Sequence, residues 1–280
     1  MMAILTGIKK HWKRIPEWAL GLLGGCWLVV EVLSFFYLSL KTYAEKNATF
    51  FWIAYGFLTV VFVIYRIRSP HTVEFTLPTT NSVVCLRFGD LFSANGHIVV
   101  PVNEYFDSKI RLCVSPASVH GKLIQEVLSG NSEQFDEAVE KSLKRVPHEV
   151  VRRKSGKASK YPIGTTAVMN AESKKYFLFA LTTTDITDNK ARADVPQMWR
   201  ALEGLWKKVR SEANGIEITL PVVGGGLSGV GIEPVHLIRL IILSILTETR
   251  KQQVAQRFEI VVLPALSDDI DLEQIASDWN

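Results

Sequence analysis

The sequence predicts an α/β domain, a mixed sheet flanked by helices, preceded by an N-terminal transmembrane hairpin of two helices. Three observations carry this. Two long apolar runs, 18–40 and 48–65, stand near the start of the chain. After Pro70, short continuous apolar segments alternate with stretches of helical periodicity. Within 220–236, a β-like run breaks into five glycines within eight residues (Gly224, Gly225, Gly226, Gly229 and Gly231) and then opens a helix.

Composition sets the outer bounds. At 280 residues the chain exceeds the roughly 100 to 200 of a single domain. Its 48% hydrophobic content and mean hydropathy of +0.15 point to membrane-embedded sequence. The net charge of +4 is too small to argue for a nucleic-acid partner, and much of it falls in the membrane flanks and one basic loop. Cys26, Cys85 and Cys113 show neither metal spacing nor a disulfide framework, and read as packing residues in a reducing compartment.

The tail 1–17 carries Lys9, Lys10, Lys13 and Arg14, and the first run that follows holds a single charge, Glu31. Its 23 residues, at 1.5 Å rise, reach about 35 Å and so cross a hydrocarbon core of ~30 Å with tilt. A polar hinge, 41–47, leads to the second run of 18 uncharged residues. Trp18, Tyr43, Trp52 and Tyr65 lie near the run ends, as interfacial aromatics do. The first run is too long for a cleaved signal peptide, and a second span follows at once. Lys/Arg in the tail, with Arg66 and Arg68 after the second span, outweigh Lys41 and Lys46, which Glu45 partly offsets. Both termini are therefore expected in the cytoplasm and the hinge outside. Glu31 is costly at mid-bilayer; it faces a partner or water, or it is protonated or snorkels in a helix interface. Gly21, Gly24 and Gly25 would let a second helix approach closely.

The rest, 72–280, reads as a soluble domain. Strands are predicted at 72–77, 82–88, 96–102, 166–170, 175–182, 215–223 and 259–264, and helices at 118–128, 132–145, 196–213 and 234–247. Runs such as Ile98-Val99-Val100 and 176–181 are apolar on both sides, so helices must cover both faces of the sheet. Trp199, Leu202, Leu205, Trp206 and Val209 recur at helical spacing and form a core face. The segment 152–160 is basic and rich in small residues, and is read as a solvated loop near the inner leaflet.

The glycine run has a specific chemistry. Glycine admits positive φ and close approach, so successive N–H groups can converge on an anion. Pro234 suits the first turn of the helix that follows, whose N-terminal dipole favours negative charge. A diphosphate fits both features; a flexible strand-to-helix turn is the alternative. The spacing is neither a Walker A loop nor a dinucleotide fingerprint.

Gly89-Asp90-Leu91, then 98–103 (IVVPVN), 119–124 (VHGKLI), 161–168 (YPIGTTAV) and the 224–231 loop occur in the order found in macro domains. The resemblance covers about residues 82–266. With the hairpin, the chain resembles the membrane-anchored macro-domain ThsA effectors of bacterial Thoeris antiphage defence. The resemblance implies a cytoplasmic macro-like domain that binds an ADP-ribose-derived nucleotide, such as histidine-ADP-ribose, made by a partner TIR-domain protein. It also implies a multi-pass protein of the bacterial inner membrane that forms homo-oligomers on activation and disrupts the bilayer, ending in abortive infection. By the same resemblance Asp90 accepts from the adenine amine, with the Leu91 backbone beside it, and Asn103 faces the distal ribose. Gly224, Gly225, Gly226, Leu227, Ser228 and Gly229 would hold the diphosphate.

Two departures matter. His120 and Gly121 stand where relatives commonly have a glycine run, so His120 either meets a ligand group beyond ADP-ribose or bonds to helix backbone. Catalytic macro domains commonly bear Asn-Ala-Ala-Asn, whereas this chain has Pro101-Val102-Asn103-Glu104. Glu104 could act as a base, but it has no evident second acid or nucleophile, and His71, His97, His148 and His236 lack ligand spacing. The expectation is a binding protein without cofactor, metal or catalytic residues. The runner-up is a membrane-tethered ADP-ribosyl hydrolase or ADP-ribose reader.

Overall fold

The computed structural model describes residues 12, 15–36, 42–43, 46–67, 70–226 and 229–279. The chain divides into two compact units, Met1–Pro70 and His71–Asn280.

The first unit holds α1 (Ile15–Phe36) and α2 (Ala48–Ile67). α1 has 22 residues and a mean hydropathy of 2.0 over its most apolar window, long and apolar enough to cross a membrane. Large apolar side chains lie exposed on α1 (Trp27, Leu28, Phe35) and on α2 (Trp52, Ile53, Phe57). Helices apolar all round are stable only against lipid or other protein. The two helices touch where the Tyr55 hydroxyl donates to Ala19 O at 2.8 Å. A Cβ on Gly21, Gly24 or Gly25 would meet nothing within 4 Å among the described residues, so these glycines lie outside that contact. The basic tail residues and Glu45 lie outside the described residues.

The second unit is a mixed sheet with both faces covered. In chain order it comprises β1 (Thr72–Thr76), β2 (Val83–Phe88), β3 (His97–Asn103), α3 (Val119–Lys122, continued by a wider π-type turn over Leu123–Val127), α4 (Ser132–Leu143), β4 (Glu149–Val150) and β5 (Ser159–Lys160). There follow β6 (Thr166–Ala171), β7 (Lys174–Thr184), β8 (Ala191–Arg192), α5 (Val195–Glu212), β9 (Ile218–Pro221), α6 (Pro234–Lys251), β10 (Arg257–Val262) and α7 (Leu272–Ser277). The strand order is β1-β2-β10-β9-β3-β7-β6, with β8 beside β7. β2, β10, β9, β3 and β7 run parallel, while β1, β6 and β8 pair antiparallel at the margins.

Alternation along the central strands explains the two layers. Val99, Phe177 and Phe179 point to one face with Leu220 and Ile260, and pack under α5 and α6. Ile98, Val100, Leu178 and Ala180 point to the other and pack under Leu123 and Ile124 of α3 and its turn and Phe135, Val139 and Leu143 of α4. Strands apolar on both sides thus have helices on both sides, as their runs predict. The helix starts follow local chemistry. Asp194 caps α5 by accepting from Gln197 N at 2.7 Å, and Asn131 caps α4 by accepting from Gln134 N at 3.0 Å. Trp206, fully buried, donates to Ser244 Oγ at 2.9 Å and ties α5 to α6.

Three features depart from the sequence reading. The strand expected at 215–223 is only Ile218–Pro221, because the chain turns away towards the glycines. α7 falls outside the predicted helices; Asp271 caps it, and Leu272, Ile275 and Ala276 pack into the same core as Phe75. The basic segment is bracketed by the β4–β5 ribbon, and the Arg153 side chain within it is withdrawn from solvent.

Candidate functional site

Parallel strands bring their carboxyl ends to one edge. β2 ends at Phe88, two residues before Asp90, β9 ends at Pro221, three before Gly224, and β3 ends at Asn103. After β3 the chain passes to α3 on one face of the sheet, and after β9 it passes to α6 on the other. Adjacent strands whose connections leave to opposite faces open a crevice at their carboxyl ends. At ~4.8 Å per strand, Asp90 stands about 10 Å along this edge from the glycine loop and about 14 Å from Asn103.

Asp90 is exposed. One carboxylate oxygen accepts from Ser93 N at 3.1 Å, and its main-chain oxygen accepts from Ser93 Oγ at 2.8 Å. A carboxylate has capacity for further donors. Leu91 is buried in the layer of α3 and α4.

In the glycine loop, Gly224 adopts φ +86, Gly229 φ +53 and Gly231 φ +80, all in the left-handed region. Val230 N donates to Gly224 O at 3.2 Å and Gly229 N to Gly226 O at 3.1 Å, so the loop folds back on itself. A Cβ on Gly224 would come within 2.7 Å of Val230 Cγ2. On Gly225 it would rest 3.4 Å from Leu237, and on Gly226 it would meet nothing within 4 Å among the described residues. Conformation therefore requires glycine at 224 but not at 225 or 226. Leu227 and Ser228 lie outside the described residues. Pro234 opens α6, where the Glu233 side chain makes no capping bond.

Asn103 is buried and its side chain is engaged locally. Its Oδ1 accepts from Tyr105 N at 3.2 Å and Asp107 N at 3.1 Å, and Nδ2 donates to Asp107 at 2.9 Å. The carboxamide thus shapes the loop that follows β3. His120 packs against Phe135 with ring centroids 4.9 Å apart. Burial pushes its imidazole down to about 3, with nearby Lys157 adding in the same direction. The ring is neutral, and its Nε2 has no hydrogen-bond partner among the described residues. Gly121 is a packing glycine: a Cβ would lie 2.1 Å from Ser115 O, so α3 starts pressed against the preceding turn. The edge thus gathers Asp90, the glycine loop and the 103–108 loop, while the His120 ring belongs to the core.

Glu104 is buried. It accepts from Thr184 N at 3.2 Å, with Lys160 at 3.9 Å. Burial raises its carboxyl above the usual range, against the pull of Thr184 N, Lys160 and Arg153. His97 is structural, its Nδ1 accepting from Lys175 N at 3.1 Å. No group of three metal-ligating side chains gathers among the described residues.

The sequence reading missed the group behind the 103–108 loop. Arg153, expected in solvent, has a side chain only 1% exposed and pairs with Asp107 at 3.0 Å. Asp107 Oδ1 also accepts from Lys157 N at 2.7 Å, and Arg153 Nη2 donates to Asn189 at 3.0 Å. The guanidinium lies 3.8 Å from the centroid of the Tyr105 ring. No periodicity marks such a pairing across 46 residues; the one local signal is Gly156 within a basic run.

The fold is shared with solved macrodomains. The Oceanobacillus iheyensis macrodomain with ADP matches at TM-score 0.50 and 11% identity, over 75% of this chain and 95% of that one. A variant of the same macrodomain with ADPR matches at TM-score 0.50 and 9% identity, over 74% and 95%. Another variant of it matches at TM-score 0.51 and 11% identity, over 75% and 95%. No curated protein matches the chain. Residues 84–263 match the Thoeris protein ThsA macro domain, and the chain belongs to that family.

Proposed function

We propose that the His71–Asn280 unit binds an ADP-ribose-derived nucleotide along the carboxyl edge of the sheet. The observation that carries this is that the Asp90 turn, the glycine loop and the 103–108 loop all follow the carboxyl ends of β2, β9 and β3 on one edge of the sheet, where the connections after β9 and β3 leave to opposite faces. Adenine would reach the Asp90 carboxylate and the Leu91 backbone. The diphosphate would lie on the 224–229 loop, where the absence of a Cβ at Gly225 and Gly226 leaves the backbone approachable, and Leu227, Ser228 and Gly229 are proposed as further contacts. The terminal ribose would meet the loop that Asn103 shapes. Macrodomains of this fold solved with ADP and with ADPR support the ligand class.

In this reading the nucleotide is a signal from a TIR-domain protein, and histidine-ADP-ribose is one such conjugate. α1 and α2 form a hairpin in the bacterial inner membrane, with both termini cytoplasmic. Two helices have too few walls to enclose an aqueous path, so disruption of the bilayer needs several chains, with Glu31 as the charge available to line it. The signal must then bind the assembled state more tightly than the resting one, since equal affinity shifts nothing.

Calorimetry on the full chain in detergent tests the ligand. Asp90→Ala should lose ten- to a hundredfold in ADP-ribose affinity, about 1.5 to 3 kcal/mol for a bond to a charged acceptor. Unchanged affinity removes Asp90 from the site. Dye release from liposomes and oligomer size, each with and without the conjugate, test the effector. Equal release from the intact chain and Asp90→Ala would end that reading and leave a tethered binder.

A further inference from the structure

We propose that Arg153 is a positioning residue for the ligand crevice: its buried pair with Asp107 holds the 103–108 loop in the form that receives the ligand beyond its diphosphate. The proposal rests on the nucleotide reading above.

The loop is under strain and multiply restrained. It leaves β3 through a register shift between Val102 and Asn103, and Phe106, fully buried, adopts φ +52. A bulky residue in the left-handed region persists only where its surroundings over-determine it. The restraint is the Asp107 carboxylate. Three donors converge on it: Asn103 Nδ2 at 2.9 Å, Lys157 N at 2.7 Å, and Arg153 Nη1 at 3.0 and 3.2 Å from its two oxygens. Arg153 in turn donates to Lys157 O at 3.0 Å and to Asn189, whose Nδ2 donates to Ser155 Oγ at 2.8 Å. Three segments distant in sequence are thereby clasped together.

The basic segment is shaped for this contact. Gly156 adopts φ +86, and a Cβ there would stand 2.5 Å from Asp107 Oδ1 and 2.8 Å from Arg153 Nη1. Both charged side chains are 1% exposed. Desolvation offsets much of the attraction in such a pair, so its presence argues for conformational definition more than for stability.

The spacing of the strands says what the loop receives. A nucleotide with its base at the end of β2 and its diphosphate at β9 places its next group one strand further, ~4.8 Å on, at the end of β3. ADP stops short of that point and ADP-ribose reaches it. Disturbing the clasp should therefore weaken ADP-ribose and spare ADP.

Calorimetry with both ligands on the full chain in detergent separates the cases. Arg153→Lys keeps the charge but loses the planar fork, and Gly156→Ala pushes on the clasp from the opposite side. Each should weaken ADP-ribose about tenfold, within the range of residues that act without touching ligand, and leave ADP within about twofold. If Arg153→Lys unfolds, Gly156→Ala decides. Equal weakening of both ligands, or no weakening of ADP-ribose, overturns the positioning role. If the unmodified chain binds ADP and ADP-ribose equally, the loop contributes no ligand contact and the proposal fails while the nucleotide reading stands. If it binds neither, the nucleotide reading itself fails.

Discussion

Two loops at the same edge of the sheet present their backbones by opposite means. The 103–108 loop is held by side chains: Asn103 donates to Asp107 and accepts from Tyr105 N and Asp107 N, and Arg153 closes the group from behind. The 224–231 loop is shaped by the lack of side chains, with left-handed glycines at its two ends and an open flank at Gly226. One loop is held by a buried polar network, which is costly to disturb. The other can lie close to an anion where Gly225 and Gly226 present no side chain. A crevice bounded by both combines a fixed wall with an approachable one.

That contrast can be broken at its strongest point by Gly224→Val. Valine at φ +86 costs about 1 to 3 kcal/mol in strain, and its contact with Val230 and Leu237 adds about as much in overpacking. Thermal unfolding should drop sharply and ADP-ribose binding should vanish. A variant as stable as the parent would mean that the loop end is not conformationally demanding.

Asn103→Ala attacks the other loop. It strands two buried N–H groups and removes one donor from Asp107, at about 1 to 3 kcal/mol for each group left without a partner. Denaturant titration should show this loss without ligand present. If stability holds and only ligand affinity falls, the carboxamide touches ligand and the contrast between the loops must be redrawn.

His120 supplies a control outside both loops. Its folded value, about 3, lies below the ordinary 6.5, so the unfolded chain binds the extra proton. Its contribution is fully present above pH 6.5 and is lost as pH falls towards 3. By about pH 5 the loss reaches about 2 kcal/mol, because each pH step of one below the ordinary value costs about 1.4 kcal/mol. His120→Phe should flatten this part of the stability profile and leave ADP-ribose affinity at neutral pH unchanged. A matching loss of affinity would bring the ring into the site.

Gly226→Ala sharpens the comparison with the smallest structural effect. An added methyl meets nothing within 4 Å among the described residues, so stability should stay within about 0.5 kcal/mol. A clear fall in ADP-ribose affinity at constant stability would mark Gly226 as the point of backbone approach; no fall would shift that point to its neighbours.

Much of this molecule was legible along the chain. The continuous apolar strands required helices on both faces, the spacing of Trp199, Leu202, Trp206 and Val209 gave α5, and the glycine run marked the turn between β9 and α6. These are local signals, because strand and helix periods repeat every two or about 3.6 residues and glycine reports the backbone at its own position. What tertiary structure decided lay in long-range pairing. Arg153 looked like one more charge in a solvated loop until Asp107, 46 positions earlier, took it out of water. His120 stood where a ligand contact and a bond to helix backbone were both open, and the adjoining layer supplied Phe135 and burial made it core. The resemblance set Asn103 towards the ribose, but its carboxamide bonds to Asp107, four residues on. The sequence states which residue types are present and how they repeat. Whether a charge is buried, or a polar group already satisfied, depends on which distant segment folds against it.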